Sequence, residues 1–217
     1  MKVREIISSR SVRTFSSLSQ GKESGFLYDI CDRIRSNYKF LMGPYKIEDF
    51  NFESGITFRL GTFNKFTINE LQLFDYGIAS ETAGVSTDDV DEFLDDFEAW
   101  ANTMPAPGDR FRGYVSRLEF LSEIDLGECF ARFNPISKLI SECLVKYGHH
   151  PRDYKVSGIK LIPDLDPQQG NALPEFSFER RAGHAYSSSV YFSTAPLRTE
   201  DHKILLEEME TSLKRQG

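Results

Sequence analysis

The stretch GITFRLGTFNKFTINELQLFDYGIASET, residues 55–82, gives the clearest indication of the fold class of this chain. Residues 55–60 alternate apolar and polar side chains, and residues 66–74 are rich in Ile, Leu and Phe. A turn signal at Asp75-Tyr76-Gly77 separates them from a return strand at 78–82. Because a period of two residues is typical of strands that bury one face, this stretch predicts hairpin-connected strands.

Four other stretches repeat apolar residues every three or four positions, which is the period of an amphipathic helix. They cover residues 24–41, 88–101, 134–147 and 199–215. Gly43-Pro44 ends the first, because proline cannot continue a helix. Asn134 is the predicted N-cap of the third, followed by Pro135 at the first helical position and closed by Gly148 as an αL cap.

Further strands are predicted at 112–124, 154–162, 174–181 and 189–194. The order helix, three strands, helix therefore appears twice along the chain. We predict an α+β fold with a mainly antiparallel sheet and four amphipathic helices, arranged on element order as two αβββα repeats. The predicted domains are a basic N-terminal arm at 1–22, a first α+β half at 23–101, a Pro/Gly linker at 102–110 and a second α+β half at 111–217.

The composition favours a folded, soluble protein in a reducing compartment. Of the 217 residues, 13% are aromatic and the net charge is −7, so a sizeable core and an acidic surface are expected. No apolar run is long enough for a transmembrane helix or a secretory signal. The three scattered cysteines, Cys31, Cys129 and Cys143, fit the cytoplasm better than a disulfide scaffold, and we expect Cys31 and Cys143 in the core.

The first 22 residues have a distinct composition. They hold five Lys and Arg, one acid and six serines. An Arg-rich, Ser-rich and acid-poor segment is typical of an organelle transit peptide. The alternative is an ordinary basic arm or a short first element, and the composition leaves both open.

No catalytic residue, metal ligand or cofactor is predicted. The chain has no nucleophile elbow, no phosphate-binding glycine loop, and no zinc-ligand spacing around His149-His150. One enzymatic alternative is a metal-dependent nuclease or phosphoesterase. Its candidate ligands are Asp164, Asp166, Glu175 and Glu179.

Two surfaces are candidates for partner binding. In the region 178–198, Arg180, Arg181, His184 and Tyr186 lie beside a serine-rich loop, a composition that suits contact with protein or with nucleic acid. The second surface is the helix at 88–98, which has seven acids in eleven residues. Because these acids repel one another, the helix is either a solvated face or a docking face for a basic partner. The candidate contact residues there are Asp91, Asp95 and Glu98.

Three stretches of the chain resemble a sporadically distributed, uncharacterised family of small bacterial proteins. They are Glu179-Arg180-Arg181, Tyr191-Phe192-Ser193 and the segment 196–202 that enters the last helix. The resemblance implies a bacterial setting, an accessory role in a defence or mobile-element system, and no catalytic residue.

These observations favour a non-enzymatic, macromolecule-binding accessory subunit in the cytoplasm, without membrane contact. We expect a protein partner. Binding of nucleic acid without catalysis is an alternative function for the 178–198 region, and the chain could also form a homo-oligomer.

Overall fold

The computed structural model describes residues 1–14, 24–101, 112–124, 126–151, 154–163, 175–185 and 188–214. The fold is α+β, as predicted, with eight strands and four helices of 13 to 16 residues. The strands are β1 (Lys2–Thr14), β2 (Ile56–Phe63), β3 (Phe66–Phe74), β4 (Gly77–Ala83), β5 (Arg112–Leu121), β6 (Gly158–Leu161), β7 (Phe176–Arg180) and β8 (Val190–Ala195). The helices are α1 (Ser24–Asn37), α2 (Thr87–Ala101), the short α3 (Leu126–Cys129), α4 (Asn134–Lys146) and α5 (Thr199–Lys214). Within these ranges, no helix is both long and apolar enough to cross a membrane.

The element order contains the predicted pattern twice, as α1-β2-β3-β4-α2 and as α4-β6-β7-β8-α5. The chain divides into two compact units. The N-terminal unit comprises Glu5–Arg117 and Pro196–Glu200, and the C-terminal unit comprises Met1–Arg4, Leu118–Ala195 and Asp201–Gly217. Strands β1 and β5 each contribute residues to both units.

The N-terminal unit orders its strands β2-β3-β4-β1-β5, and the described pairings among β2, β3, β4 and β1 are antiparallel. Its core lies where α1 and α2 cover one face of these strands. Helix α1 contributes Ile34 and Tyr38, and helix α2 contributes Phe93, Leu94 and Phe97. They pack against buried strand residues Ile56, Phe58, Ile68, Leu71, Leu73 and Ile78.

Tyr38 is the centre of this core, with ring contacts to Phe93 at 5.2 Å and Phe97 at 5.9 Å between centroids. Its hydroxyl donates a hydrogen bond to Asp96 at 2.8 Å, and burial together with that carboxylate raises the pKa of Tyr38. Gly61 is required beside this cluster, because a Cβ there would lie 2.4 Å from the ring of Phe40. The apolar side chains that alternate along the quoted stretch therefore form the core that the sequence predicted.

The C-terminal unit orders its strands β5-β8-β7-β6, with antiparallel pairing from β8 to β6. Tyr191 stacks on Phe178 at 4.8 Å and on Phe120 at 5.9 Å, and its hydroxyl donates to the Ile124 carbonyl. On α5, Glu210 accepts hydrogen bonds from the Ser122 hydroxyl at 2.7 Å and the Glu123 amide at 3.0 Å. Aromatic stacking and a satisfied buried carboxylate hold this unit together.

Strand β1 was not predicted. Residues 2–14 lie within the segment interpreted from sequence as a targeting peptide, a basic arm or a short first element, and they pair with β4 from Ser8 opposite Ala83 to Thr14 opposite Gly77. The side chains that β1 turns inward are Ser9, Ser11 and Arg13, all fully buried. Because these residues are polar, the strand lacks the alternation of apolar and polar residues that marks a half-buried strand.

Several predicted boundaries were wrong, each for a local reason. Helix α1 ends at Asn37 rather than at 41, because Lys39 adopts a left-handed φ of 52° and the Phe40 amide bonds back to the Arg35 carbonyl. Asn134 is not the N-cap of α4: Phe133 takes that position and Asn134 already has helical dihedrals. Gly148 is the predicted αL residue, with a φ of 82°.

The strand predicted at 154–162 is confined to Gly158–Leu161. The strand predicted at 112–124 ends at Leu121. Cys31 is buried as expected, whereas Cys143 is exposed. The predicted linker at 102–110 lies outside the described residues.

Candidate functional site

The acidic face of α2 has a basic partner within the N-terminal unit. Arg13 on β1 is fully buried, and its Nη1 donates to Asp95 Oδ1 at 2.7 Å and forms an ion pair with Glu98 at 3.1 Å. Its Nη2 donates to the Asp91 carbonyl oxygen at 2.8 Å. Burial alone would lower the pKa of Arg13, but the carboxylates of Glu98 and Asp95 outweigh it and raise that pKa. Arg13 is therefore a charged residue built into the interior.

Asp91 is the most heavily contacted of these acids. Its carboxylate accepts from the Tyr114 hydroxyl at 3.0 Å, and Arg198 Nη2 approaches the same oxygen at 3.4 Å. Arg198 also donates to the Tyr114 hydroxyl at 2.8 Å and lies 4.8 Å above its ring. Arg112 lies 3.9 Å from Asp91. Asp91 is thus held by arginines from β1, from β5 and from the residue that precedes α5.

The three acidic residues predicted to contact a partner differ in how far their side chains are exposed to solvent. The Asp91 and Glu98 side chains are only 10% and 14% exposed and point toward Arg13, whereas the Asp95 side chain is 62% exposed. The screening charge that the helix needs is supplied by the chain itself. Contact of these residues with an outside partner stays a prediction, and Asp95 is the one most open to it.

At the N-termini of α2 and α5, Thr87 and Thr199 hydrogen-bond to each other, while Ser86 and Asp89 form the capping box of α2. The Thr87 amide donates to Thr199 Oγ1 at 3.0 Å, and the Thr199 amide donates to Thr87 Oγ1 at 2.9 Å. Both residues are buried. Each threonine hydroxyl therefore serves the amide of the other threonine rather than an amide of its own helix.

Helix α4 exposes its apolar residues in the C-terminal unit. Ile136, Leu139 and Ile140 are 53%, 59% and 39% exposed, and the helix has no buried residue. The flanking aromatic residues Phe133 and Tyr147 are exposed as well. We call this surface, formed by Phe133, Ile136, Leu139, Ile140 and Tyr147, the α4 apolar face.

The helix contacts its unit through a different side, on which Ser137 lies. The Ser137 hydroxyl donates to the Tyr154 carbonyl at 2.5 Å and accepts from the Tyr154 amide at 2.9 Å. Ser137, Ser141 and Leu144, at spacings of four and three residues, are half-buried. The periodicity therefore located an amphipathic helix correctly, but its apolar stripe is not the side that contacts the fold.

Helix α1, which opens the first helix, three strands, helix series as α4 opens the second, packs its apolar side on a core. Helix α1 buries Cys31, Ile34 and, just past its end, Tyr38 to 5% exposure or less. Among the described residues with large exposed apolar side chains, nine of sixteen lie between Phe133 and Ile162. The exposure is thus concentrated in one region of the C-terminal unit.

The predicted basic-aromatic surface at 178–198 is partly engaged within its own unit. Arg180 donates to the Ser188 carbonyl at 3.0 Å and lies 5.2 Å above the Tyr191 ring. Arg181 pairs with Glu119 at 3.2 Å and lies 5.5 Å above the Phe192 ring. His184 is exposed, and Tyr186 lies outside the described residues. Partner binding by these four residues stays a prediction.

The carboxylates of the nuclease alternative are only partly described. Asp164 and Asp166 lie outside the described residues, Glu175 pairs with Lys160 at 2.6 Å, and Glu179 is exposed. Among the described residues, no group of three His, Cys, Asp or Glu side chains could hold a metal ion. The nuclease alternative therefore stays a prediction.

One buried Ser–His pair lies in the C-terminal unit. Ser193 Oγ donates to the Ser177 carbonyl at 2.6 Å, so it accepts the His202 Nε2 proton at 2.9 Å. Burial lowers the pKa of His202 to about 4, which keeps the ring neutral. Because the serine proton is directed to a backbone carbonyl and both residues are fully buried, the pair is structural rather than nucleophilic.

In comparison with known proteins, the chain matches no family model and has no significant match among curated proteins. The family resemblance noted from the sequence stays a prediction.

Proposed function

We propose that the protein is a non-enzymatic accessory subunit that binds a partner protein through the α4 apolar face. The observation that carries this proposal is the exposure of Ile136, Leu139 and Ile140 on a helix that contacts its own unit through another side, formed by Ser137, Ser141 and Leu144. Exposed apolar patches on a folded chain mark interaction surfaces. Helix α1 buries its apolar side in the core of its own unit, whereas α4 leaves its apolar side exposed.

The energy available on this surface is adequate for a binding hot spot. Fully burying an exposed aliphatic side chain is worth about 1.5–3 kcal/mol, so covering the three half-exposed residues offers about 2–4 kcal/mol. Phe133 and Tyr147 at the two ends add aromatic contact area, and aromatic residues are enriched at interface centres. A second copy of this chain is the alternative occupant, which light scattering distinguishes.

We place this activity in the cytoplasm of a bacterium, as part of a multi-component system. The three cysteines form no disulfide and differ in burial, which suits a reducing compartment. The bacterial setting and the accessory role rest on the family resemblance alone.

The test is affinity purification from the native host with the wild-type chain and with Ile136→Ser/Leu139→Ser/Ile140→Ser. Ile204→Ser is the matched control, because Ile204 is equally exposed but lies on α5. We expect a stoichiometric partner with the wild type and the control, lost with the triple variant, and reproduced with purified components. A triple variant that folds and retains the same partner would refute the proposal.

A further inference from the structure

We infer that the partner segment that covers the α4 apolar face is an acidic amphipathic protein segment. This inference rests on the proposed function, since it names the chemistry of the occupant. It is carried by the charge around the apolar face, which differs in sign from the charge of the chain as a whole.

The segment that surrounds the apolar face is basic. Residues 130–162 contain six Lys and Arg and two acids, a net charge of +4 within a chain of net charge −7. Among the described residues of this segment, five basic side chains accompany one acid, Glu142, and one of the five, Lys160, is already paired with Glu175 at 2.6 Å. Glu142 faces Lys138 at 3.9 Å, but both side chains are more than half exposed, so that pair is weak.

The basic groups flank the apolar stripe rather than lying apart from it. Lys146 is two helical turns beyond Leu139 and therefore on the same side of α4. At the other end, the Arg132 guanidinium lies 5.4 Å above the ring of Phe133. An occupant that covers Ile136 and Leu139 therefore comes within reach of positive charge at both ends, which favours carboxylates on its rim.

Protein is favoured over the other acidic surfaces in a cell. Nucleic-acid binding is dominated by contacts to phosphate, to which isoleucine and leucine contribute nothing. Helices that lie on membranes have a polar face rich in Lys and Arg, whereas the side of α4 away from its apolar face carries Ser137, Ser141 and Leu144 and is half-buried. An amphipathic acidic segment matches both the apolar stripe and its basic flanks.

The experiment selects peptides from a display library of random amphipathic sequences on the full-length protein, with counter-selection on Ile136→Ser/Leu139→Ser/Ile140→Ser. We expect the enriched peptides to combine helical apolar spacing with an excess of Asp and Glu. Arg132→Glu/Lys146→Glu should weaken their binding about tenfold, as expected for loss of the complementary charge at the two ends of the apolar face. The control Lys46→Glu/Lys65→Glu, which makes the same net charge change at exposed sites elsewhere, should leave binding unchanged.

The outcomes separate the two proposals. Enriched peptides that depend on the α4 apolar face but are neutral or basic would overturn the acidic assignment and leave the docking function standing. If no enriched peptide depended on that face, both would fall. Binding of the wild-type chain to phosphatidylserine vesicles, abolished by the triple serine variant, would assign the face to a membrane and overturn this inference.

Discussion

Replacing Arg13 with methionine removes the buried positive charge on which α2 depends. Methionine keeps an unbranched apolar side chain in the same space, so the change isolates the guanidinium. In the variant, Asp91 and Glu98 keep their negative charges at largely buried positions that Arg13 no longer neutralises. We therefore expect the N-terminal unit to be strongly destabilised.

The magnitude follows from the contacts. Removing one partner of a buried ion pair costs about 3–5 kcal/mol. Two features moderate the loss here: Asp91 keeps Tyr114 and Arg198, and Asp95 is 62% exposed and can be solvated. We expect the lower end, about 3 kcal/mol, which lowers a urea midpoint by about 1.5 M for an m-value of about 2 kcal/mol/M.

The assay is urea unfolding followed by tryptophan fluorescence. Trp100 is the single tryptophan of the chain and packs 5.9 Å from Tyr38 between ring centroids, so it reports on this unit. Asp95→Asn is the matched control, because an exposed charge is worth less than about 1 kcal/mol. A loss below about 1 kcal/mol for Arg13→Met would show that α2 does not depend on this charge and would restore the interpretation of the acidic helix as an outward-facing surface.

Three further predictions address the caps, the buried histidine and the cysteines. Thr87→Ala and Thr199→Ala should each lower the free energy of unfolding in urea by about 1 kcal/mol. The double variant should lose less than the sum of the two, because each threonine hydroxyl bonds the other's amide. Additive losses would contradict the reciprocal bonds. The pKa of His202 is lowered from 6.5 to about 4, so the unfolded chain takes up a proton that the folded chain refuses, and stability falls as pH drops from 6.5 to 4 by about 3 kcal/mol. Hydrogen exchange of β8 and α5 should show that loss, and His202→Leu should reduce it; an unchanged pH dependence in His202→Leu would contradict the assignment. Burial and Asp32 raise the pKa of Cys31 to about 12. A thiol reagent at neutral pH should therefore label the exposed Cys143, while Cys31 stays unlabelled until the protein unfolds. Labelling of Cys31 in the native protein would contradict its burial.

The sheet and its helices were predictable where apolar spacing reports burial directly. Strands β2 to β4 place Ile56, Phe58 and Leu71 in the core, and α2 places Phe93 and Phe97 there. In each of these segments the spacing of apolar residues indicates the structure, because the residues that the segment packs against are also apolar and nearby in sequence.

Strand β1 could not be predicted in this way, because the surface that it packs against is polar. Ser9 Oγ donates to the Val85 carbonyl at 2.7 Å, and Arg13 reaches the carboxylates of α2 some eighty residues later. Serine and arginine are typical of exposed segments, so only the tertiary partner explains their burial. The burial of Asp91 and Glu98 could not be predicted for the same reason, since their counter-charge, Arg13, lies in that strand.

The α4 apolar face is a second feature that the sequence pattern could not predict in full. The spacing of Ile136, Leu139 and Ile140 establishes an amphipathic helix but does not say what covers its apolar side. Helices α1 and α4 have similar patterns, yet only α1 meets the core. They differ in the side that contacts the unit, which on α4 carries Ser137 and Ser141 as well as Leu144.

Site-specific photo-crosslinking in the native host would show whether a partner protein covers the α4 apolar face. A photo-reactive phenylalanine analogue would replace Leu139 in one strain and Ile204 in another, since both positions are more than half exposed. We expect one defined protein adduct from position 139, absent from position 204 and abolished by Ile136→Ser/Ile140→Ser. No adduct at position 139, or the same set of adducts from both positions, would contradict the proposed docking function.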